Sequence, residues 1–199
     1  MKIIVVGASG DIGRVVCEEL GSRHDIIRAG RTQGDVLVNM SDRTSVEKMY
    51  AEVGDVDAVI STAGDVHFGP LEDFTSDTFM IGLNGKVMGQ VNLVLAGMAR
   101  ISEGGSFTLT SGVLDRDPIR MGAGAAAANG ALGGFVTGAA IEMPRGQRIN
   151  VVSPGLLEVS APRYGQWFPG HEPVSSKRVG LAYAKSVEGA ITGQVIVVE

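Results

Sequence analysis

Apolar residues follow two alternating rhythms along this chain. Short β-branched runs, such as Lys2 to Val6 (KIIVV), read as parallel strands, because a strand covered on both faces keeps no polar side. Between them lie stretches whose apolar positions recur with the period of a helix buried on one face, such as Ile12, Val15, Val16 and Leu20. Further strands are predicted at Asp25 to Ala29, Asp35 to Asn39, Asp57 to Ser61, Ser106 to Thr110, Arg148 to Ser153 and Gln194 to Val198. A helix capped by Ser41 or Asp42 carries Val46, Met49, Tyr50 and Val53, and a last helix starts after Ser175 or Ser176. This alternation predicts an α/β fold, a single doubly wound parallel sheet of the Rossmann type with helices on both faces. One domain is expected over residues 1–199.

Two longer helical stretches differ from the rest. Ser76 to about Ala99 is interrupted near Gly82 and Gly85, and its second half, KVMGQVNLVLAGMA, is apolar on most faces. Gly122 to about Glu142 opens with GAGAAAANGALGGF, whose tiny side chains allow close approach of another helix. Such helices are buried, and both are candidates for contact with a second subunit. Leu157 to Pro173 is irregular and holds Tyr164, Trp167 and Phe168. Residues 156–173 read either as a substrate lid or as a surface loop packed by its own aromatics.

Composition narrows the function. The net charge of −5, without any Lys/Arg run, predicts no nucleic-acid or anionic-membrane partner. The N-terminal apolar run is too short to span a bilayer or to serve as a signal peptide. The one cysteine, Cys17, forms no internal disulfide and reads as a small core residue, so a cytoplasmic location is expected. No metal site is predicted.

The candidate chemistry starts at the first strand-to-helix turn. Gly7, Gly10 and Gly13 follow the strand at regular spacing and open a helix. Such a turn aims backbone N–H groups and the positive helix end at an anion, and glycine admits a pyrophosphate where a Cβ would clash. Ser9, Asp11 and Ile12 complete the predicted dinucleotide turn. The second strand ends in Gly30-Arg31 with no Asp or Glu. An acid there would bind free ribose hydroxyls, whereas Arg31, helped by the Ser9 hydroxyl, favours a 2′-phosphate, hence NADP over NAD. Thr62-Ala63-Gly64 and Pro154-Gly155 lie at other strand ends, where the ligand crevice of such a sheet opens. His67, in the loop beyond Gly64, reads as a solvated residue.

These pieces resemble the short-chain dehydrogenase/reductase family over essentially the whole chain. The likeness is carried by the turn Gly7 to Gly13, NMSD at Asn39 to Asp42, TAG at Thr62 to Gly64, GSFTLTS at Gly105 to Ser111, RINVVSPG at Arg148 to Gly155 and ITGQVIVV at Ile191 to Val198. The resemblance implies an oxidoreductase using NAD(P) on a small-molecule substrate, with Asn39, Met40 and Ser41 also near the cofactor. It implies a homodimer or homotetramer built through the two long helices. The family's chemistry uses Ser, Tyr and Lys with a supporting Asn. Ser111 matches the Ser. Counting back from GALGGF (Gly130 to Phe135) puts Ala125 at the Tyr position and Asn129 at the Lys position, and no Tyr occurs between Ser111 and Tyr164. Taking Gly89 as the helix glycine puts Lys86 at the Asn position; sliding two residues restores Asn84 there.

Two functions follow. One is a divergent NADP(H)-dependent oxidoreductase acting on a carbonyl, enone or imine. Ser111 would hold the oxygen, and Lys86, Asn129, an ordered water or Tyr164 would handle the proton. The other is a catalytically silent dinucleotide sensor that kept the cofactor site and lost the phenol.

Overall fold

The computed structural model describes all residues, 1–199. Seven parallel strands form one sheet in the order β3-β2-β1-β4-β5-β6-β7. They are β1 Lys2–Val6, β2 Asp25–Gly30, β3 Val36–Leu37, β4 Val56–Ser61, β5 Ile101–Thr110, β6 Arg148–Pro154 and β7 Val195–Val198. The helices are α1 Asp11–Gly21, α2 Arg43–Val53, α3 Ser76–Gly82, α4 Gly89–Gly97, α5 Ala123–Ala139, α6 Ala161–Tyr164 and α7 Ser176–Glu188. The predicted doubly wound sheet is what forms. One core holds Tyr50, Leu93, Phe107 and Leu132 with the α2, α4 and α5 side. A second holds Val16, Leu20, Val179 and Tyr183 with the α1 and α7 side. No helix is long and apolar enough to cross a membrane.

The boundaries differ where side chains take over from the sheet. β3 is two residues long, not Asp35 to Asn39. The Asp35 carboxylate accepts the Arg28 N–H at 2.8 Å, and the Asn39 N–H donates to Ser45 Oγ at 3.0 Å, so both ends leave the ladder. β5 starts at Ile101 rather than Ser106, and the pairing with β4 slips in register between Val56 and Ala58 to absorb the polar, glycine-rich start. α5 stops at Ala139, short of Glu142. Asp42, not Ser41, caps α2, and Ser175, not Ser176, caps α7. The lid stretch is not wholly irregular: it contains α6 and a short 3₁₀ turn, Gly165–Trp167.

The stretch from Ser76 onward is helical but not one α-helix. A π-helical turn, Leu83–Met88, joins α3 to α4, with the Gly89 N–H donating to the Asn84 carbonyl five residues back. Gly82 and Gly85 weaken the α-helical ladder here, and widened turns of this kind often re-aim a side chain. The apolar α4 is buried mainly inside its own chain: Val91, Leu93 and Val94 are covered, while Met88 and Leu95 remain exposed. Its burial therefore does not require a second subunit.

Candidate cofactor and active site

The strand order reverses between β1 and β4, and a cleft opens beyond their carboxyl ends. Gly7 turns the chain away from β1 with φ +85°, and a Cβ there would lie 2.9 Å from both Ala63 Cβ and Thr62 Oγ1. Glycine is the residue that fits both demands. Thr62 locks the facing strand: its N–H donates to the Val6 carbonyl at 2.8 Å, and its hydroxyl lies within hydrogen-bond reach of the Val6 and Gly7 carbonyls. α1 starts behind this turn without a side-chain cap, whereas Asp42, Thr75 and Ser175 cap α2, α3 and α7. Its first N–H groups are thus left for an outside acceptor.

The cleft has two lobes. The first, about 350 Å³, is lined by Gly7, Ser9, Gly10, Arg31, Asn39, Met40, Ser41, Thr62, Ala63 and Gly64. The second, about 570 Å³, is lined by Asp11, Ile12, Thr62, Gly64, Lys86, Ser111, Ala125, Asn129, Pro154 and Gly155. Sequence-predicted residues from eight segments thus meet at the carboxyl end of the sheet. Gly13 lines neither lobe; it packs under the turn, against the Gly7 carbonyl. Met40 turns its thioether inward, under Gly89 and toward Ser61, so it offers the cleft little beyond its backbone. His67 also lines neither lobe, and its ring packs edge-on against Phe74.

Ser111 is fixed by the strand that carries it. Just before it, Gln90 clamps Thr110 with two hydrogen bonds: its amide N–H donates to the Thr110 carbonyl at 2.9 Å, and its carbonyl accepts the Thr110 N–H at 2.8 Å. From the other face, Thr110 Oγ1 meets Tyr183 Oη at 2.6 Å. The Ser111 N–H donates to Val152 in β6. Ser111 itself is 4% exposed, and its hydroxyl has no hydrogen-bond partner in the protein.

The π turn leaves Asn84 exposed and sends Lys86 into the cleft. Lys86 Nζ donates to Asn129 Oδ1 at 2.6 Å and to the Ser111 carbonyl at 2.9 Å. An ammonium has three N–H donors, so one is left over. Gly64 allows this approach, because a Cβ there would lie 2.6 Å from Lys86 Cγ. Desolvation pulls the Lys86 pKa down to about 8, with partial opposition from the negative charge of Asp115. Lys86, and not Asn84, is thus the side chain that meets Asn129. Ala125 is buried beside Val113 and Leu114. Of the three tyrosines, Tyr50 and Tyr183 lie in the core with their pKa values pushed up by burial, and only Tyr164 reaches the cleft.

Some contacts here carried no sequence signal. Arg31 Nη2 lies 3.3 Å from Asp65 Oδ2, both side chains being exposed (71% and 72%). Asp65 directly follows Thr62 to Gly64 in the chain, 34 residues from Arg31. The Asp11 carboxylate accepts the Ser160 hydroxyl at 2.7 Å and is paired with Arg163 and Arg14, tying the glycine turn to α6. The Ser160 hydroxyl, with Arg14 and Arg163, holds this carboxyl below its usual range.

The sequence profile described as Enoyl-(Acyl carrier protein) reductase matches residues 4–183. An uncharacterized oxidoreductase of Schizosaccharomyces pombe is 28% identical over 194 residues, covering 88% of this chain and 73% of its own. Among solved structures, the protein lin1944 from Listeria innocua is 46% identical, with full coverage of both chains and a TM-score of 0.98. A small-chain dehydrogenase in complex with NADPH is 26% identical, with a TM-score of 0.88 over 100% of this chain and 96% of that one. The profile match spans most of the chain, and the sheet and cleft agree with it: the chain belongs to the short-chain dehydrogenase/reductase family of oxidoreductases.

Proposed function

We propose that the protein is an NADP(H)-dependent oxidoreductase that reduces a small carbonyl, enone or imine, with Ser111, Lys86 and Asn129 as its working groups. The observation that carries this reading is the Ser111 hydroxyl, which is buried and unpartnered, on the residue whose carbonyl accepts Lys86 Nζ and which lines the same lobe as the Lys86–Asn129 pair. A buried hydroxyl without a partner costs about 1–3 kcal/mol, and a substrate oxygen in the cleft would relieve it. Ser111 then holds that oxygen. The spare N–H of Lys86 supplies the proton that the reduced oxygen or nitrogen takes up, and Asn129 fixes the ammonium through its amide oxygen.

The residues present fit a dinucleotide. The uncapped start of α1 and the Cβ-free Gly7 suit the pyrophosphate, Arg31 and Ser9 suit a 2′-phosphate, and Asn39 to Ser41, Thr62 to Gly64 and Pro154-Gly155 line the remaining path. NADPH, when bound, supplies the hydride. The NADPH complex of a related dehydrogenase supports this choice of cofactor. Residues 156–173 act as the lid, latched to the cofactor turn by Ser160 and Arg163 on Asp11.

Ser111→Ala is expected to lower turnover by about 10²–10³-fold, in the range of a lost oxyanion donor, with the NADPH Kd unchanged. Steady-state rates on a ketone, enone and imine panel, beside an NADPH titration, check both halves. Equal turnover would place the chemistry elsewhere. The silent-sensor reading draws on the absence of a phenol at Ala125. Tight NADPH binding with no substrate consumed across that panel would favour it.

The subunit contact is proposed on α5, where Gly130, Gly134 and Gly138 face open space and the last two share a groove with the exposed Leu95 of α4. Gly134→Glu is expected to yield monomers in light scattering. An unchanged mass from an oligomeric wild type would move the interface elsewhere.

A further inference from the structure

A separate cavity of about 300 Å³ adjoins the outer side of the catalytic lobe. Its wall is Phe68, Ile119, Met121, Tyr164, Trp167 and Phe168; the one charged residue lining it is the exposed Arg120, and the exposed Arg163, engaged by Asp11, stacks over the Tyr164 ring at 5.4 Å. Phe68, Tyr164 and Phe168 line the catalytic lobe as well, so the same three rings border both spaces. The wall comes from three separate segments, two loops after β4 and β5 and the α6 stretch after β6. Phe68, Met121, Tyr164 and Trp167 are each between 43% and 49% exposed. Large apolar side chains gathered in one exposed, concave patch mark a binding surface.

The backbone adds an independent sign. Met121 has φ +64°, a left-handed conformation that a long side chain rarely adopts. It is held there by the Gly69 N–H, which donates to the Met121 carbonyl at 3.0 Å and joins two of the three segments. Strain of this kind persists where the surroundings over-determine it, commonly at ligand sites. Here it keeps a polarizable thioether beside Tyr164 and Trp167, and methionine adapts to irregular apolar shapes.

We infer that this annex takes the apolar body of the substrate, which is an uncharged molecule carrying a ring or branched alkyl group next to its reducible carbonyl or imine carbon. The inference rests on the reading of Ser111 and Lys86 as the reacting end. The wall offers carbon, ring faces and sulfur, and no buried cation to offset a buried anion. A carboxylate on the apolar body would lose its hydration for little return.

Trp167 is the only tryptophan of the chain and sits in the wall, so its emission reports occupancy. The test uses the full chain saturated with NADP⁺, titrated with cyclohexyl methyl ketone, butanone and 4-acetylcyclohexanecarboxylate. The cyclohexyl ketone is expected to change Trp167 emission and to bind at least about 10-fold tighter than either of the others, a margin that matches a few buried methylenes. Met121→Gly, which suits the left-handed backbone, is expected to weaken the cyclohexyl ketone about 5- to 10-fold while leaving NADP⁺ affinity and Tm intact. Silent Trp167 emission with all three probes, equal affinity for the cyclohexyl ketone and butanone, or tighter binding of the carboxylate would overturn the inference. NADPH consumption separates the two claims. If Trp167 responds as expected but no ketone or enone is reduced, the annex stands and the hydride-transfer reading falls. If ketones are reduced with the same kcat/KM whatever their apolar body, that reading stands and the annex falls.

Discussion

Lys86→Met is expected to lower the rate of NADPH-dependent reduction by about 10²–10⁴-fold, the usual worth of a positioned general acid. The substitution keeps the length and apolar stem of the side chain and removes only the ammonium. Two opposite effects on stability should largely cancel. Asn129 Oδ1 and the Ser111 carbonyl lose their donor, while the desolvation that pulls the Lys86 pKa down to about 8 is relieved. A thermal melt close to wild type therefore accompanies the lost rate. The pH dependence follows from the same group. Reduction needs Lys86 protonated, so its rate is highest below about pH 8 and falls as pH rises through that value. Oxidation of the alcohol needs the free amine and rises over the same interval. Asn129→Asp puts a carboxylate where the amide oxygen now accepts the ammonium, which favours the charged form of Lys86 and should carry the alkaline limb upward by about 1–3 units. An unmoved limb would assign the titration to a group other than Lys86. Full activity in Lys86→Met would remove this residue as the proton source and leave Tyr164, the one phenol at the cleft, as the group to test.

The sheet was readable because its strands are covered on both faces. Ile3, Ile4, Val5, Val151 and Val152 are buried, and such runs announce themselves without reference to anything distant. The pairing of Lys86 with Asn129 was half readable. Spacing brought both to the expected neighbourhood, but the choice between Asn84 and Lys86 turned on the π turn, and helical periodicity counted from an ordinary α-helix does not register an added residue. Chain ends of strands were lost where side chains replaced sheet partners, as Asp35 and Ser45 do around β3. The apolar annex was the least readable part. Phe68, Met121 and Trp167 lie on three segments without periodicity, and only the fold brings them together. The Asp11–Arg163 tie joins residues 152 apart for the same reason.

Arg31→Glu is expected to weaken NADPH by at least about 100-fold, or about 2.8 kcal/mol, while NADH changes much less. Arg31 and Ser9 line the same lobe at the end of β2, which itself carries no Asp or Glu, and the one carboxylate lining that lobe is Asp65, from the loop after β4. A guanidinium there provides charge-assisted hydrogen bonds to a phosphate, worth about 1.5–3 kcal/mol. The reversed charge adds repulsion against the same dianion. Asp65 decides whether Arg31 is free to do this. The two already meet at 3.3 Å, but both are mostly exposed, and an exposed ion pair contributes about 0–1 kcal/mol. The phosphate should therefore displace Asp65, and the pair sets only a modest toll on binding. Asp65→Asn accordingly should tighten NADPH by no more than about 5-fold and leave NADH nearly untouched. Raising the salt concentration should shrink both effects, since the site is open to solvent. Titrations of the wild type and both variants with NADPH and NADH measure all of this in one experiment. Equal losses of the two dinucleotides in Arg31→Glu would take Arg31 off the 2′-phosphate and assign it to a part of the cofactor that both share.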